Sequence, residues 1–439
     1  MTESMLSAVR GTATRLSDNT HDYDPLMEQI GSKSLVLLGE STHGTSEFYR
    51  MRSDITRRLI EEKQFDAIAV EGDWPDVYRL NRFIMGQGGG DILEAFDGFE
   101  RFPRWMWRNR EMLELIQWLA RYNQSQPIHE KVGIYGLDLY SLYRSARAVI
   151  DYLARVDPDQ ASIARDIYEC LDNVQDPQRY GLEATRGLRD DCRQAIQQQL
   201  VALQSRSTDY LDRGELLDHD ELFFAEQNAT VVRNAESYYR TMFKSSVSSW
   251  NLRDAHMSRT LLNLQRHHRI QGHAGKVIVW AHNSHVGDAR ATEMGWKGEL
   301  SLGQLIRLLA PPRDVFLVGF STYTGRVAAA HHWDGNVENF RLNAALPDSL
   351  EHLFYRSGLD RFYLPLNSGS SHTLEEPLQE RAVGVIYRPR SEQLSHYFHA
   401  SLATQFDALF HLDETSALEP LDPSPNWHRK EYQHWQAGT

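Results

Sequence analysis

Residues 35–52 read LVLLGESTHGTSEFYRMR and determine how the chain is expected to fold. The first four residues are apolar and branched, which is typical of a strand buried on both faces of a sheet. A helix is predicted to follow at once, from Thr45 to Glu62, because apolar side chains recur there at helical spacing, at Phe48, Met51, Ile55 and Leu59. A strand, a helix and a second strand in succession favour a parallel sheet with crossover helices.

Similar apolar runs recur along the chain. They predict further strands at Ala67–Val70, Val132–Tyr135, Val277–Trp280, Val315–Phe320, Phe362–Leu366 and Val383–Tyr387. Most of residues 141–270 has the spacing of helices, with segments at Leu142–Val156, Asp190–Leu203, Asp220–Met242 and Asp254–Arg266. The expected fold is therefore α/β: one catalytic domain over residues 1–439, with a mainly parallel central sheet flanked by helices and a helical lobe at about 141–270. Gly88–Gly90 and the tail from Glu419 onward are predicted loops.

Composition narrows the classes of partner. The 439 residues are 41% hydrophobic and carry a formal net charge of −13, with no block of basic residues. Such a surface repels polyphosphate, so neither nucleic acid nor an anionic membrane is an expected partner. The first residues lack the apolar stretch of a secretory signal and no apolar run has membrane-spanning length, so we expect a cytoplasmic protein. Cys170 and Cys192 are too few for a disulfide framework, and a single disulfide between them is not favoured.

Titratable side chains follow four of the predicted strands, at the point where each strand ends. Glu40 and His43 follow the first, and the others are Glu71, Asp138, His282 and His285. Because ligands bind at the carboxyl ends of the strands in open α/β sheets, these residues are expected to converge on one crevice. This convergence is the strongest functional inference that the residues support by themselves.

His43 is the candidate general base. It precedes the predicted helix, whose N-terminal partial positive charge disfavours an imidazolium and leaves the ring able to accept a proton from water. A carboxylate, either Glu71 or Glu40, would orient it. Arg52 is expected either to form a buried ion pair with a carboxylate or to cover the site.

Two further features admit more than one interpretation. His282 and His285 could bind a metal, or could hydrogen-bond a substrate carbonyl and its water. The segment PRWMWR at residues 103–108 could be core or the wall of a site for a bulky apolar ligand. No Gly-x-Ser-x-Gly nucleophile elbow is present, so a serine nucleophile is not favoured.

At this point five segments resemble, in order, the signatures of the erythromycin esterase family. They are LLGESTHGTSEFYRMR, AVEGDW, FPRWMWRNREMLELIQWL, YGLDLYSLYRSA and VWAHNSHVGD. The resemblance runs from about residue 30 to about residue 410. The pair of motifs Gly-Glu-x-Thr-His-Gly and Ala-His-Asn-x-His is more specific than either motif alone.

The resemblance implies hydrolysis of an ester or macrolactone by water that a histidine activates, without a covalent acyl-enzyme. By the match of motifs, the resemblance implies that His43 is the general base. It also implies functional roles for Glu40, Glu71, Arg52, His282 and His285. Trp74, Trp105, Trp107 and Asp138 are expected to bind the substrate, a small-molecule ester or lactone. Macrolide ring opening is one activity that the resemblance allows.

Two alternatives use the same residues. The first is a metallohydrolase in which His43, His282, His285 and carboxylates hold a divalent metal, although our expectation is that no cofactor is needed. The second is a non-catalytic module that binds an apolar ring compound or tetrapyrrole through the Trp-rich segment and the histidines. The sequence predicts no oligomeric state.

Overall fold

The computed structural model describes residues 3–87, 89–171, 176–188, 192–211, 216–366, 373–425 and 427. The strands are β1 (Thr14–Arg15), β2 (Leu35–Leu38), β3 (Ala67–Asp73), β4 (Gly133–Asp138), β5 (Val277–Trp280), β6 (Val315–Ala329), β7 (Glu338–Leu342), β8 (Arg361–Pro365), β9 (Leu378–Arg381), β10 (Tyr397–Ala400) and β11 (Ala408–Thr415). The helices of the first half are α1 (Glu3–Thr12), α2 (Asp24–Ile30), α3 (Ser46–Lys63), α4 (Trp74–Ile84), α5 (Ile92–Ala95), α6 (Arg110–Gln124), α7 (Leu142–Val156), α8 (Pro158–Tyr168), α9 (Pro177–Thr185), α10 (Arg193–Ser205) and α11 (Ser207–Leu211). Those of the second half are α12 (Leu216–Thr241), α13 (Ser246–Ile270), α14 (Asn283–Val286), α15 (Glu293–Trp296), α16 (Leu302–Leu309), α17 (Leu350–Arg356), α18 (Glu392–Ser395) and α19 (Leu402–Gln405).

The main sheet of the described chain has the strand order β1-β8-β11-β6-β2-β5-β3-β4, with β7 paired to β6. The strands from β11 to β4 pair in parallel, whereas β8, β1 and β7 pair antiparallel with their neighbours. β9 and β10 form a separate two-stranded sheet. The predicted α/β fold with a mainly parallel central sheet is confirmed.

The central strands β2 and β5 are buried on both faces because apolar residues occupy every position. Val36 and Leu38 of β2 pack into one hydrophobic core, and Leu35 and Leu37 pack into the core on the opposite face. Successive side chains of a strand point to opposite faces, so one short run contributes to both cores. This continuous burial is the physical basis of the strand signal at residues 35–38.

The helical region was predicted correctly for most of its length. A third core joins residues from Leu139 to Tyr239, and the disulfide Cys170–Cys192, which the sequence did not favour, lies within it. Helix α13 contributes Met257, Leu261 and Leu264 to the sheet's own core rather than to that of the lobe. Asp190 and Asp191, the first two residues of the predicted helix, lie outside the described residues, as do Gly88 of the predicted loop and residues 426 and 428–439 of the predicted tail.

One predicted strand is wrong. Residues 383–387 form only isolated bridges, Val383 with Thr42 and Ile386 with Ala330, and the chain bends at Val385 between them. No ladder forms in this segment. In the described residues, no helix is long and apolar enough to cross a membrane.

Candidate active site

The carboxyl ends of β2, β3, β4 and β5 border a cavity of about 340 Å³. Its polar lining includes His43, Glu71, Asp138, Arg253, His282 and His285. Its apolar lining includes Phe99, Phe102, Met106, Trp107, Trp250 and Trp333. The structure therefore places the strand-end residues around one cavity. Glu40 and Arg52 do not line it and lie behind His43.

The loops that follow β2 and β5 are tied to each other. The backbone N–H of Asn283 donates to the carbonyl of Glu40 at 2.8 Å, and its side chain donates to the carbonyl of Phe320. Gly39 permits this packing, because a Cβ there would lie 2.1 Å from the side-chain oxygen of Asn283. The backbone N–H of His43 donates to Val383 at 3.1 Å. These bonds fix the positions of the two histidine-bearing loops.

Glu40, rather than Glu71, orients His43. Nδ1 of His43 lies 2.8 Å from a carboxylate oxygen of Glu40, and the other oxygen accepts from Arg52. Since a carboxylate only accepts, Nδ1 carries the proton and Nε2 of a neutral His43 presents a lone pair. Arg52 is fully buried between the rings of Tyr49 and Trp280, so the predicted buried ion pair is present.

Glu71, near the end of β3, faces His43 across the cavity. One of its oxygens accepts the backbone N–H of His282 at 2.8 Å, and the other lies 4.0 Å from Nε2 of His43. Burial opposes ionisation, but His285, Arg253 and His43 together hold the pKa of Glu71 well below its usual value. Glu71 is therefore a carboxylate at neutral pH.

Arg253, on α13, joins three of the polar side chains of the cavity, and it was not among the predicted site residues. Its guanidinium donates to Glu71 at 2.7 Å and to both oxygens of Asp138, at 2.6 and 3.0 Å. It also lies 5.0 Å from the ring centre of Tyr140. Asp138, predicted to bind substrate, is thus engaged by Arg253. The run Arg-Asp-Ala-His at residues 253–256, polar within a helix, was the one available signal.

His282 has the opposite protonation pattern to His43. The backbone N–H of Ser284 donates to Nδ1 of His282 at 3.2 Å, so the neutral ring carries its proton on Nε2. Burial, followed by the nearby His43, holds the pKa of His282 well below its usual value. The Nε2 atom is buried with no hydrogen-bond partner. His282 is therefore a neutral donor whose N–H lacks a hydrogen bond of good geometry and has only a weak contact with the backbone of Ser41.

His285 is held from both sides. Nδ1 lies 2.8 Å from Asp254, Nε2 lies 2.9 Å from Arg253, and Trp250 stacks on the ring. Burial lowers the pKa of His285, but Asp254 and Glu71 outweigh it and raise the pKa to about 9. Because a guanidinium only donates, the contact with Arg253 needs a lone pair on Nε2, and a second proton would require Arg253 to move away.

The three tryptophans predicted to bind substrate lie in different places. Trp107 lines the cavity and donates to the carbonyl of Glu71 at 3.0 Å. Trp74 is buried in the core between Tyr135 and Phe224, and Trp105 is buried beside a different depression. The structure does not bring Trp74 or Trp105 into the cavity, where Trp250 and Trp333 supply aromatic surface instead.

The same cluster can be tested as a metal centre. His43 and His282 each have an Nε2 without a hydrogen-bond partner in the described chain, but Glu71 and His285 are both engaged by Arg253. A divalent cation bound there would have to lie beside a guanidinium, which Coulomb repulsion disfavours.

The fold and the cavity define a class, that of α/β proteins with histidines and carboxylates clustered at the carboxyl ends of parallel strands. Within this class, the family model for erythromycin esterase matches residues 60–415. The chain belongs to the erythromycin esterase family, and as a member it is a hydrolase that acts on ester bonds.

Individual relatives agree with this assignment. A protein of Escherichia coli described as erythromycin esterase type II is 23% identical over an alignment of 423 positions, which covers 92% of this chain and 94% of the relative. A solved structure of a Bacillus cereus protein matches with a TM-score of 0.79 and 21% identity, covering 96% of this chain and all of the other. A mutant of the erythromycin esterase EreC in its open conformation matches with a TM-score of 0.69 and 16% identity, covering 94% of this chain and 99% of that one. The structural likenesses establish the fold.

Proposed function

We propose that this hydrolase cleaves a carboxylic ester or lactone with water activated by His43, without a covalent acyl-enzyme and without a metal. The observation that carries the proposal is the linked series Arg52, Glu40 and His43, which leaves the Nε2 lone pair of His43 directed at the cavity. A histidine held by a buried carboxylate is the recurring arrangement for abstracting a proton from a nucleophile.

Glu71 supports the same step from the other side of the ring. A water between Nε2 of His43 and the carboxylate of Glu71 can donate one hydrogen bond to each, because their 4.0 Å separation spans one such bridge. As the proton moves to His43, the new cation lies beside two carboxylates, Glu40 at Nδ1 and Glu71 at Nε2. Both are fixed before the reaction, so they stabilise the developing charge without rearrangement.

His282 supplies the complementary group. His282 lines the cavity, its buried Nε2–H lacks a hydrogen bond of good geometry, and its ring lies 4.8 Å from that of His43 between centroids. A substrate carbonyl that accepts from this N–H would face a water on His43. The developing oxyanion then gains a donor whose competing contact, with the backbone of Ser41, is weak.

Macrolactones belong among the candidate substrates because the Escherichia coli relative is described as an erythromycin esterase. The aromatic side chains Phe102, Trp107, Trp250 and Trp333 give the cavity a largely apolar wall, which suits an uncharged ring with few polar groups. Simple esters and smaller lactones share the same reacting group and are the necessary comparison.

The test is a panel of macrolides, smaller lactones and simple esters, incubated with the protein and followed by mass spectrometry for the gain of one water. On the best substrate, His43→Gln should lower kcat by at least a hundredfold, since general-base catalysis typically contributes 10²–10⁴. Ser284→Ala is the matched control: Ser284 lines the same cavity and its Oγ lies 2.9 Å from Nδ1 of His282. Its turnover should stay within tenfold of the wild type.

The outcomes separate the alternatives. Full turnover by His43→Gln rejects His43 as the base, and loss of activity in Ser284→Ala together with an acyl adduct on Ser284 of the wild type rejects direct attack by water. Loss of activity on chelation, restored by one equivalent of a metal that His43→Gln no longer binds, supports the metallohydrolase instead. Binding of panel members without turnover supports a binding module.

A further inference from the structure

Three potential metal ligands lie together near the amino ends of β3 and β5, at the opposite end of these strands from the cavity. Asp66 immediately precedes β3, His268 lies near the end of α13, and His273 lies in the turn that joins α13 to β5. One ligand atom from each side chain lies within 4.8 Å of the other two. In the described chain no other set of three histidine, cysteine or acidic side chains meets this criterion.

Two of these ligand atoms are buried and lack hydrogen bonds. Oδ1 of Asp66 and Nδ1 of His268 lie 3.2 Å apart but do not have hydrogen-bond geometry, and neither has another hydrogen-bond partner. Asp66 is 8% exposed and His268 is 3% exposed. Burying a polar atom without a partner costs free energy, so such atoms are uncommon unless something else satisfies them.

The other polar atoms of the same side chains are already held. Oδ2 of Asp66 accepts the backbone N–H groups of Gly275 and Lys276, at 2.8 and 3.3 Å. Nε2 of His268 lies 3.3 Å from the hydroxyl of Tyr135. Metal-binding histidines and carboxylates are typically oriented in this way, by a second hydrogen bond from the atom that does not face the metal.

We propose that Asp66, His268 and His273 bind one divalent transition-metal ion of the zinc class. Two imidazole nitrogens and one carboxylate oxygen are ligands that zinc accepts readily, with water completing a tetrahedral set. The ion would satisfy both unpartnered atoms and would sit between side chains that the surrounding backbone already positions. Lys276 does not compete for the site, because its ammonium group donates to the carbonyl of Lys63 at 2.8 Å.

The site is structural in character. Asp66 precedes Glu71 by five residues of extended chain, which places it roughly 16 Å from the catalytic cavity. The metal would join the end of α13 to the amino ends of β3 and β5. Since Arg253 stands near the other end of α13, the metal would help to fix the helix that carries this residue.

The experiment uses the full chain, stripped of metal by chelation and then titrated with Zn²⁺ by calorimetry and with Co²⁺ by visible absorption. We expect one tight site per chain and a rise of a few degrees in Tm with Zn²⁺, because a ligand that binds the folded state stabilises it. Asp66→Asn, His268→Asn and His273→Asn should each weaken Zn²⁺ binding at least tenfold and abolish the rise in Tm.

Two controls keep the result specific. His267→Asn changes the neighbouring histidine, which stacks on Phe223 and contacts Asp220, and it should leave binding intact. His43→Gln should also bind normally, because it alters only the catalytic cavity. If His268→Asn does not fold, the His273→Asn variant decides the outcome, because His273 is only half-buried and lies in a turn. Absence of a tight site, or a site lost in His43→Gln and retained in folded His273→Asn, overturns the proposal.

Discussion

Replacing Glu40 by Gln gives the sharpest test of the catalytic arrangement. The fully buried carboxylate of Glu40 accepts from His43 on one oxygen and from Arg52 on the other. A carboxamide has one oxygen and one NH₂ group, so it can accept from only one of them. The charged Arg52 should take the oxygen, which turns the NH₂ group toward Nδ1 of His43. That contact requires a lone pair on Nδ1, so the proton moves to Nε2 and His43 can no longer act as a base.

The size of the effect follows from this change of tautomer. In the serine protease triad the equivalent loss of a carboxylate lowers kcat by about 10⁴, which corresponds to about 5.4 kcal/mol in the activation barrier. Stability should fall as well, because Arg52 would be buried without an anion, and breaking a buried pair costs about 3–5 kcal/mol. The rings of Tyr49 and Trp280 remain against the guanidinium and should retain part of its stabilisation.

The measurements are kcat and KM on the best substrate of the ester and lactone panel, together with urea unfolding of the same samples. Glu40→Asp is the control, since it keeps both the charge and two acceptor oxygens and should lose less activity than the amide. A folded Glu40→Gln variant with kcat within tenfold of the wild type would refute the assignment of Glu40 and, with it, the tautomer assigned to His43.

Three further predictions concern other residues. His282→Leu removes the N–H donor and should lower kcat by about 10²–10³ with little change in KM. A raised KM with an unchanged kcat contradicts a role in the transition state. Trp107→Phe should lower kcat/KM several-fold, because Trp107 lines the cavity and holds the Glu71 carbonyl, whereas Trp74→Phe should cost about 1–3 kcal/mol of stability and leave kinetics unchanged. Burial lowers the pKa of His256 to about 4, so between pH 6.5 and 4 the unfolded chain binds a proton that the folded chain does not. The free energy of unfolding should therefore decrease as the pH is lowered from 6.5 to 4. His256→Gln should reduce the slope of this free energy against pH, measured by urea unfolding, by about 1.4 kcal/mol per pH unit.

The parts of the site that sequence could predict are those in which local pattern fixes position. Glu40 and His43 follow a strand whose burial on both faces is plain from residues 35–38, and Arg52 lies on the helix that must begin a few residues later. Because β2 and β5 are parallel neighbours, His282 had to arrive at the same edge. The interpretation of Arg52 as half of a buried ion pair needed only that helix and one nearby carboxylate.

Arg253 shows what local pattern could not provide. Its contacts with Glu71, Asp138 and His285 depend on where α13 crosses the end of the sheet, which is decided by the packing of Met257 and Leu261 on the sheet's core. No spacing within the helix contains that information. The predicted strand at residues 383–387 was wrong for a related reason. Its composition favours a strand, but the segment pairs with the rest of the chain only through isolated bridges to Thr42 and Ala330.

The proximity of His43 and His282 explains why the two rings need different roles. Their centroids are 4.8 Å apart, so two imidazolium ions there would repel each other strongly in a buried site. Burial and the nearby His43 lower the pKa of His282, whereas His43 has a carboxylate on each side. Under the proposed mechanism, a proton taken from water would therefore stay on His43 instead of passing to His282. When the tetrahedral intermediate collapsed, the leaving alkoxide would take that proton from Nε2 and return His43 to the state in which it began.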